Sequence, residues 1–233
     1  MALHTHPTHH PDDDLLVAYA SGDLDEAWSL LVATHLAVCP ICRSRVEAAE
    51  TVGGALLENI PTDDLADLSD DALERALERV AATPPDFVGE RDGSGSLICK
   101  STSTVTPVLP QPLRDYAGGD VGELEWRRLG SSAFHIPLVS GRGAPAARLL
   151  KIPGGTAVPE HGHNGLELTL VLAGSFVDDG ERFARGDVET ADTDLEHQPY
   201  AEAGSDCICL AVTDAPLRFR GPMARLVQPF IGI

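Results

Sequence analysis

Residues 35–42 read HLAVCPIC. Two folds are at stake in how this stretch is read. A C-x-x-C pair working as a redox dithiol ordinarily follows a β-strand in an α/β fold. The same pair working as metal ligands can instead hold together a small all-α domain. The residues ahead of the cysteines decide between them. Leu24, Trp28, Leu31 and Val32 recur at helical spacing, which predicts a helix from about Leu24 to Val38 and no strand. On that helix His35 and Cys39 are i and i+4, one turn apart on one face. Pro40 suits the first turn of a following helix, and Cys42 falls near its start, where the positive end of the dipole favours a thiolate. His35, Cys39 and Cys42 can then converge on one tetrahedral ion, and Zn²⁺ is the usual occupant of such a sulfur and nitrogen set. A fourth ligand must come from elsewhere, with His4, His6, His9 and His10 as the candidates.

Helical patterning extends on both sides. Leu15, Leu16, Tyr19 and Ala20 predict a helix ending at Gly22, and Val46, Ala49, Val52 and Ala55 line the interior of the helix that begins at Pro40. In LADLSDDALERALERVAAT (65–83), Leu73, Leu77 and Val80 share one face, with Ser69 as cap and Asp70 and Asp71 as an acidic first turn. Pro84-Pro85 stops that helix, and a stretch rich in Gly, Ser, Thr and Pro follows. Beyond it the pattern turns to short β-prone segments: ELEWRRL, AFHIPLV, ARLLKIP, LELTLVL and CICLAV, separated by turn signals such as DDG and RGD. The expected fold class is therefore α+β in two domains. An all-α metal-binding domain covers 1–84, a linker 85–105, and a small all-β barrel or sandwich 106–225. Trp28 and Trp126 read as core anchors.

The β region carries its own ligand set in GTAVPEHGHNGLELTLVLAG (155–174). His161 and His163 are i and i+2, so an extended chain points them to one side, and Glu167 follows at the start of a strand. His197, after the turn at Arg185–Asp187, adds a third imidazole. Three imidazoles and a carboxylate suit Zn²⁺, Mn²⁺, Fe²⁺ or Ni²⁺, with room for water or a small-molecule ligand. Cys207 and Cys209, i and i+2 on a strand, face the same way and read either as small core residues or as an oxidisable pair. His135 reads as a hydrogen-bonded strand residue outside the ligand set, and Cys99 as incidental.

Acidic residues outnumber basic ones 36 to 17, for a formal charge of −19. That balance argues against direct contact with nucleic acid, whose phosphates need Lys and Arg, and permits a basic protein partner. The amino-terminal MALHTHPTHHPDDD lacks the build of a secretion signal, and no apolar run reaches the roughly 20 residues that span a bilayer, so a cytoplasmic location without membrane contact is expected. Five cysteines in clusters fit metal or redox chemistry better than a disulfide framework.

LLVAYASGDLDEAWSLLVATHLAVCPICRSRV (15–46) resembles the zinc-containing anti-sigma domain, in its H-x3-C-x2-C motif, its AYA-x-G turn and its ATHL before the cysteines. The spacing of Gly155, His161, His163, Glu167 and Gly174 resembles the first cupin motif in full. Gly186 and His197 match the second cupin motif in part, since Asp192, Asp194 and Ala201 depart from it. Both motifs in this order resemble the ChrR-type family of anti-sigma factors over nearly the whole chain. The resemblance implies that His10, with His9 as the adjacent alternative, completes a zinc site with His35, Cys39 and Cys42. It also implies that the chain holds an extracytoplasmic-function sigma factor and releases it on singlet-oxygen-like oxidative stress sensed through the cupin, whose metal ligands would be His161, His163, Glu167 and His197. A C-x-C pair like Cys207 and Cys209 belongs to the resemblance too. No catalytic residue is implied. The alternative from another class is a metal-dependent, dioxygenase-like cupin enzyme with an accessory zinc module, because such enzymes share the same ligand set.

Overall fold

Helix α2, Glu26–Val38, is buried on more than one side: Trp28, Leu30 and Leu31 are covered as well as Val32, Thr34 and His35. Its surroundings explain why. The computed structural model describes residues 6–61, 68–82, 106–130, 133–140 and 144–219. The chain runs through α1 (Asp13–Ala20), α2, α3 (Pro40–Glu58), α4 (Ala72–Ala82) and α5 (Gln111–Ala117), then twelve strands. These are β1 (Arg127–Leu129), β2 (Ala133–Val139), β3 (Ala146–Ile152), β4 (His161–Gly162), β5 (Glu167–Ala173), β6 (Ser175–Asp178), β7 (Glu181–Ala184), β8 (Val188–Ala191), β9 (Glu196–His197), β10 (Tyr200–Ala201), β11 (Cys207–Thr213) and β12 (Arg218–Phe219). The linker at 85–105, Cys99, His4 and the stretch 220–225 lie outside the described residues.

Three antiparallel sheets form the β part: β1-β2-β3-β11-β5-β8, β10-β6-β7 and β12-β4-β9. The fold is the expected cupin, built as layered sheets and not as one closed barrel. Strand alternation divides the large sheet into two faces. Leu149, Leu168, Leu170, Leu172, Leu210 and Val212 face outward and form one cluster with Trp28 and Leu31 of α2 and Leu113 of α5. On the opposite face, register lines up Arg148, Ala211, Thr169 and Glu189 in one row across β3, β11, β5 and β8. The polar groups of the cupin therefore sit inside while its outer leucines receive a helix.

Contacts divide the chain into two compact units, Met1–Gly54 with Pro107–Ile233, and Ala55–Thr106. Helices α1 and α2, α3 as far as Gly54, and the cupin strands thus share the first unit, whereas composition alone places a boundary at the end of the helical pattern. Helices α2 and α3 meet at a bend of 118°. No single helix among the described residues is long and apolar enough to cross a membrane.

Three local expectations change. Helix α4 begins at Ala72, so Ser69–Asp71 form the turn ahead of it, with the Ala72 amide donating to the Ser69 carbonyl at 2.8 Å. ELEWRRL contributes only its last three residues to β1. Helix α5, short and carrying Pro112 in its first turn, has no helical signature in the sequence, yet Leu113 is fully buried and Gly118 closes the helix at φ +82°. Both tryptophans anchor as expected: Trp28 is buried, and Trp126 donates its Nε1 hydrogen to the Val121 carbonyl at 3.0 Å.

Because Leu31 is fully buried between α2 and the sheet, Leu31→Ala is expected to lower stability by about 2–5 kcal/mol. Denaturant unfolding followed by tryptophan fluorescence checks this, and an unchanged midpoint would contradict the packing.

Candidate metal centres

The bend between α2 and α3 brings the first ligand set together. His35 lies in the last turn of α2, Cys39 at its C-cap and Cys42 in the first turn of α3. His10, three residues before α1, puts Nδ1 3.4 Å from each of the Cys39 and Cys42 sulfurs. The Cys42 amide donates to the Cys39 sulfur at 3.4 Å. One ligand atom from each of His10, His35, Cys39 and Cys42 lies within 4.8 Å of the other three.

Hydrogen-bond accounting tests whether this group suits a cation. The His35 Nδ1 hydrogen is donated to the Gly186 carbonyl at 2.9 Å, since a carbonyl can only accept. That leaves a lone pair on Nε2, which is buried with no hydrogen-bond partner among the described residues. Burial holds His35 at about 4, so the lone pair stays unprotonated. Burial and the adjacent Cys39 push Cys42 up to about 12, against the helix N-terminus that favours its thiolate. Two adjacent sulfurs and an orphaned imidazole nitrogen are a set that a divalent cation satisfies and a proton does not. His9 does not join it. Its ring packs on Phe183 at 4.5 Å and its amide donates to Asp187.

The second set lies inside the cupin. His161 opens β4 and pairs directly with His197 of β9, and His163 follows β4 at once. His197 Nε2 lies 3.1 Å from His161 Nε2 and 3.0 Å from His163 Nε2. The His161 Nδ1 hydrogen is donated to the Pro159 carbonyl at 2.9 Å, and that of His197 to Asp178 Oδ2 at 2.7 Å. In their neutral forms these two rings therefore turn lone pairs toward each other, an arrangement that repels unless a cation lies between. Burial holds both His161 and His163 at about 4. This trio, too, could hold a metal ion.

Glu167 stands outside the trio. Its Oε2 is 3.7 Å from His163 Nδ1, on the far side of that ring from the converging nitrogens, and Thr169 donates its hydroxyl to Oε1 at 3.2 Å. Burial raises Glu167 to about 7. The sequence did not single out Asp178 or Glu189, which surround His197 Nδ1 at 2.7 and 4.0 Å. Burial, then the charge of Asp178, pushes Glu189 up to about 9, so at neutral pH it keeps its proton. The Asp178–Asp179–Gly180 turn was legible as a hairpin signal, and positive φ at Asp179 (43°) and Gly180 (85°) bears that out. That its first residue accepts a hydrogen bond from His197 was not.

Cys207 and Cys209 place their sulfurs 3.5 Å apart, both buried among Ile152, Val171, Phe176 and Phe183. The Cys207 contact and burial raise Cys209 well above the ordinary thiol range. His135 is not the hydrogen-bonded residue expected: its Nδ1 is buried without a partner among the described residues.

A cluster of two cysteines and two histidines on a helical bend, packed with a cupin that holds three convergent imidazoles, defines a class of two-part protein with two candidate metal centres. Residues 116–216 match the family described as the ChrR Cupin-like domain. The chain is 47% identical over 225 residues to Anti-sigma-E factor ChrR of Cereibacter sphaeroides, spanning 97% of this chain and 98% of that protein. It is also similar to a chain in the crystal structure of Rhodobacter sphaeroides SigE in complex with the anti-sigma ChrR, with a TM-score of 0.71 and 45% identity, covering 88% of this chain and 98% of that one. The chain belongs to the ChrR family of anti-sigma factors.

The two sets are expected to lose metal separately. Cys39→Ser should empty the helical cluster and leave the cupin metal in place. Asp178→Ala, which frees His197 to rotate, should weaken the cupin metal by about 10- to 100-fold without removing its ligands. Metal titration of each variant reads both effects, and unchanged cupin affinity in Asp178→Ala would contradict the orienting role.

Proposed function

We propose that this chain is a cytoplasmic anti-sigma factor. It sequesters an extracytoplasmic-function sigma factor through its helices and releases it when the cupin senses oxidative, singlet-oxygen-like stress. In this reading His10, His35, Cys39 and Cys42 hold structural zinc, and His161, His163 and His197 hold a second divalent metal with Glu167 beside them. Zinc bound by such a cluster supplies folding free energy and fixes the angle between α2 and α3. Membership of the ChrR family supports the reading.

One observation carries it furthest. Val52, Leu56 and Leu57 on the last turns of α3 are exposed, Leu57 at 70%. Leu73, Leu77 and Val80 form a second apolar stripe at i, i+4 and i+7 on α4, where no residue is buried and Leu77 is 60% exposed. Stripes of this kind left uncovered mark a surface for a protein partner. The overall charge of −19 adds complementarity to a partner with basic, DNA-contacting surfaces.

Purified full-length chain with zinc bound is expected to co-purify with its sigma factor and to repress transcription from that factor's promoter. Leu73→Glu with Leu77→Glu, which leaves the buried core untouched, should weaken sigma binding by about 100-fold or more. Cys39→Ser should abolish it. If the zinc-loaded chain leaves transcription unchanged, the anti-sigma reading fails.

A further inference from the structure

The two metal sets meet at one turn of the cupin. Arg185, Gly186 and Asp187 connect β7 to β8, and both ligand histidines of the helical cluster depend on them. Gly186 accepts the His35 Nδ1 hydrogen at 2.9 Å. Asp187 Oδ1 accepts the Thr8 amide at 2.6 Å, the His9 amide at 3.0 Å and the Thr8 hydroxyl at 3.2 Å. The Val188 amide donates to the His9 carbonyl at 3.2 Å. The segment that ends in His10 is therefore clamped to the cupin on its last residues. Contact is close enough that a Cβ on Gly186 would stand 2.6 Å from Pro7 Cγ, at a φ of +93° that already favours glycine.

On its other side the same turn is tied to the cupin interior. The Gly186 amide donates to the Val171 carbonyl at 2.8 Å, the Val171 amide to the Asp187 carbonyl at 3.0 Å, and the Ala184 amide to Asp187 Oδ2 at 2.8 Å. Strand β8 leaves the turn directly, and its second residue is Glu189, which with Asp178 surrounds His197 Nδ1. Only Val188 separates the carboxylate that clamps His10's segment from a carboxyl beside a cupin ligand.

We propose that Gly186 and Asp187 are positioning residues for the helical cluster and that, through β8, they couple its metal affinity to the occupation of the cupin site. This rests on the metal assignments above. A cation held by the Nε2 atoms of the three imidazoles would make the His197 Nδ1 hydrogen a stronger donor to Asp178, beside Glu189 of β8, and so would order that strand. The turn then presents its carbonyl and carboxylate already in place, so His10 and His35 bind at a smaller ordering cost. Because coupling is reciprocal, an ion in the helical cluster raises the cupin's affinity for its own ion by the same factor, and losing the cupin ion loosens the cluster. The reading gives the cupin a physical route to the sigma-binding helices.

The test uses full-length chain and Co²⁺ as probe, because only the cysteine-containing cluster produces a thiolate-to-cobalt charge-transfer band. Competition with a chromophoric chelator then gives its affinity. Asp187→Ala is expected to weaken Co²⁺ at the cysteine cluster by about 10- to 100-fold, and Asp187→Asn, which keeps an acceptor oxygen for the Thr8 and His9 amides, by distinctly less. Emptying the cupin with His161→Ala and His163→Ala is expected to weaken the same band by about 5-fold or more, an effect that vanishes in the Asp187→Ala background. If Asp187→Ala does not fold, Thr8→Pro removes the matching amide without touching the cupin and should act in the same direction. Unchanged affinity in the Asp187 or Thr8 variants, or full additivity with cupin emptying, would overturn the proposal. No sigma factor enters these measurements, so their failure leaves the anti-sigma reading standing, and a failed repression assay leaves the coupling standing.

Discussion

Packing of α2 on the outer leucines of the cupin sheet is the contact on which the rest of the molecule depends. Trp28 and Leu31 fill that interface, and burial of each such side chain contributes about 1.5–3 kcal/mol. With one side of α2 fixed on the sheet, Val32 packs with Cys39 and Cys42, and His35 reaches the Gly186 carbonyl. The amino-terminal segment can then lie along the β7–β8 turn and present His10. Apolar burial sets the helix; hydrogen bonds to a single turn aim the ligands.

Orientation by the hydrogen-bond partner recurs in both ligand sets. A carbonyl or carboxylate takes the Nδ1 hydrogen of His35, His161 and His197, which leaves Nε2 as the donor in each case. His10 and His163 are the exceptions: His10 turns its Nδ1 to the two sulfurs, and His163 has Glu167 3.7 Å from its Nδ1.

Much of this was legible in the sequence where the interaction is local. His35 and Cys39 lie one helical turn apart, Cys42 falls in the first turn of the next helix, and His161 and His163 are two apart at and just beyond β4, so spacing alone brought them together. The cupin's outer leucines and inner polar row follow from strand alternation. What spacing could not reach are pairs distant in the chain. Asp187 clamps Thr8 across 179 positions, and no periodicity marks either residue. The choice between His9 and His10 depended on the same contact, because His9 is used in docking and its neighbour is thereby left facing the sulfurs. Helix α2 shows how tertiary context rewrites a local signal: its stripe was read as one buried face, whereas it is covered on two, once by the sheet and once by the cluster.

The proposed function requires two separate metal centres in one packed unit. Anomalous diffraction from crystals of the full-length chain, recorded at the zinc absorption edge after growth in zinc, would locate both. One peak is expected within bonding reach of His10 Nδ1, His35 Nε2 and the sulfurs of Cys39 and Cys42, and a second among the Nε2 atoms of His161, His163 and His197. Absence of the first peak, with the four side chains otherwise in place, would contradict that requirement.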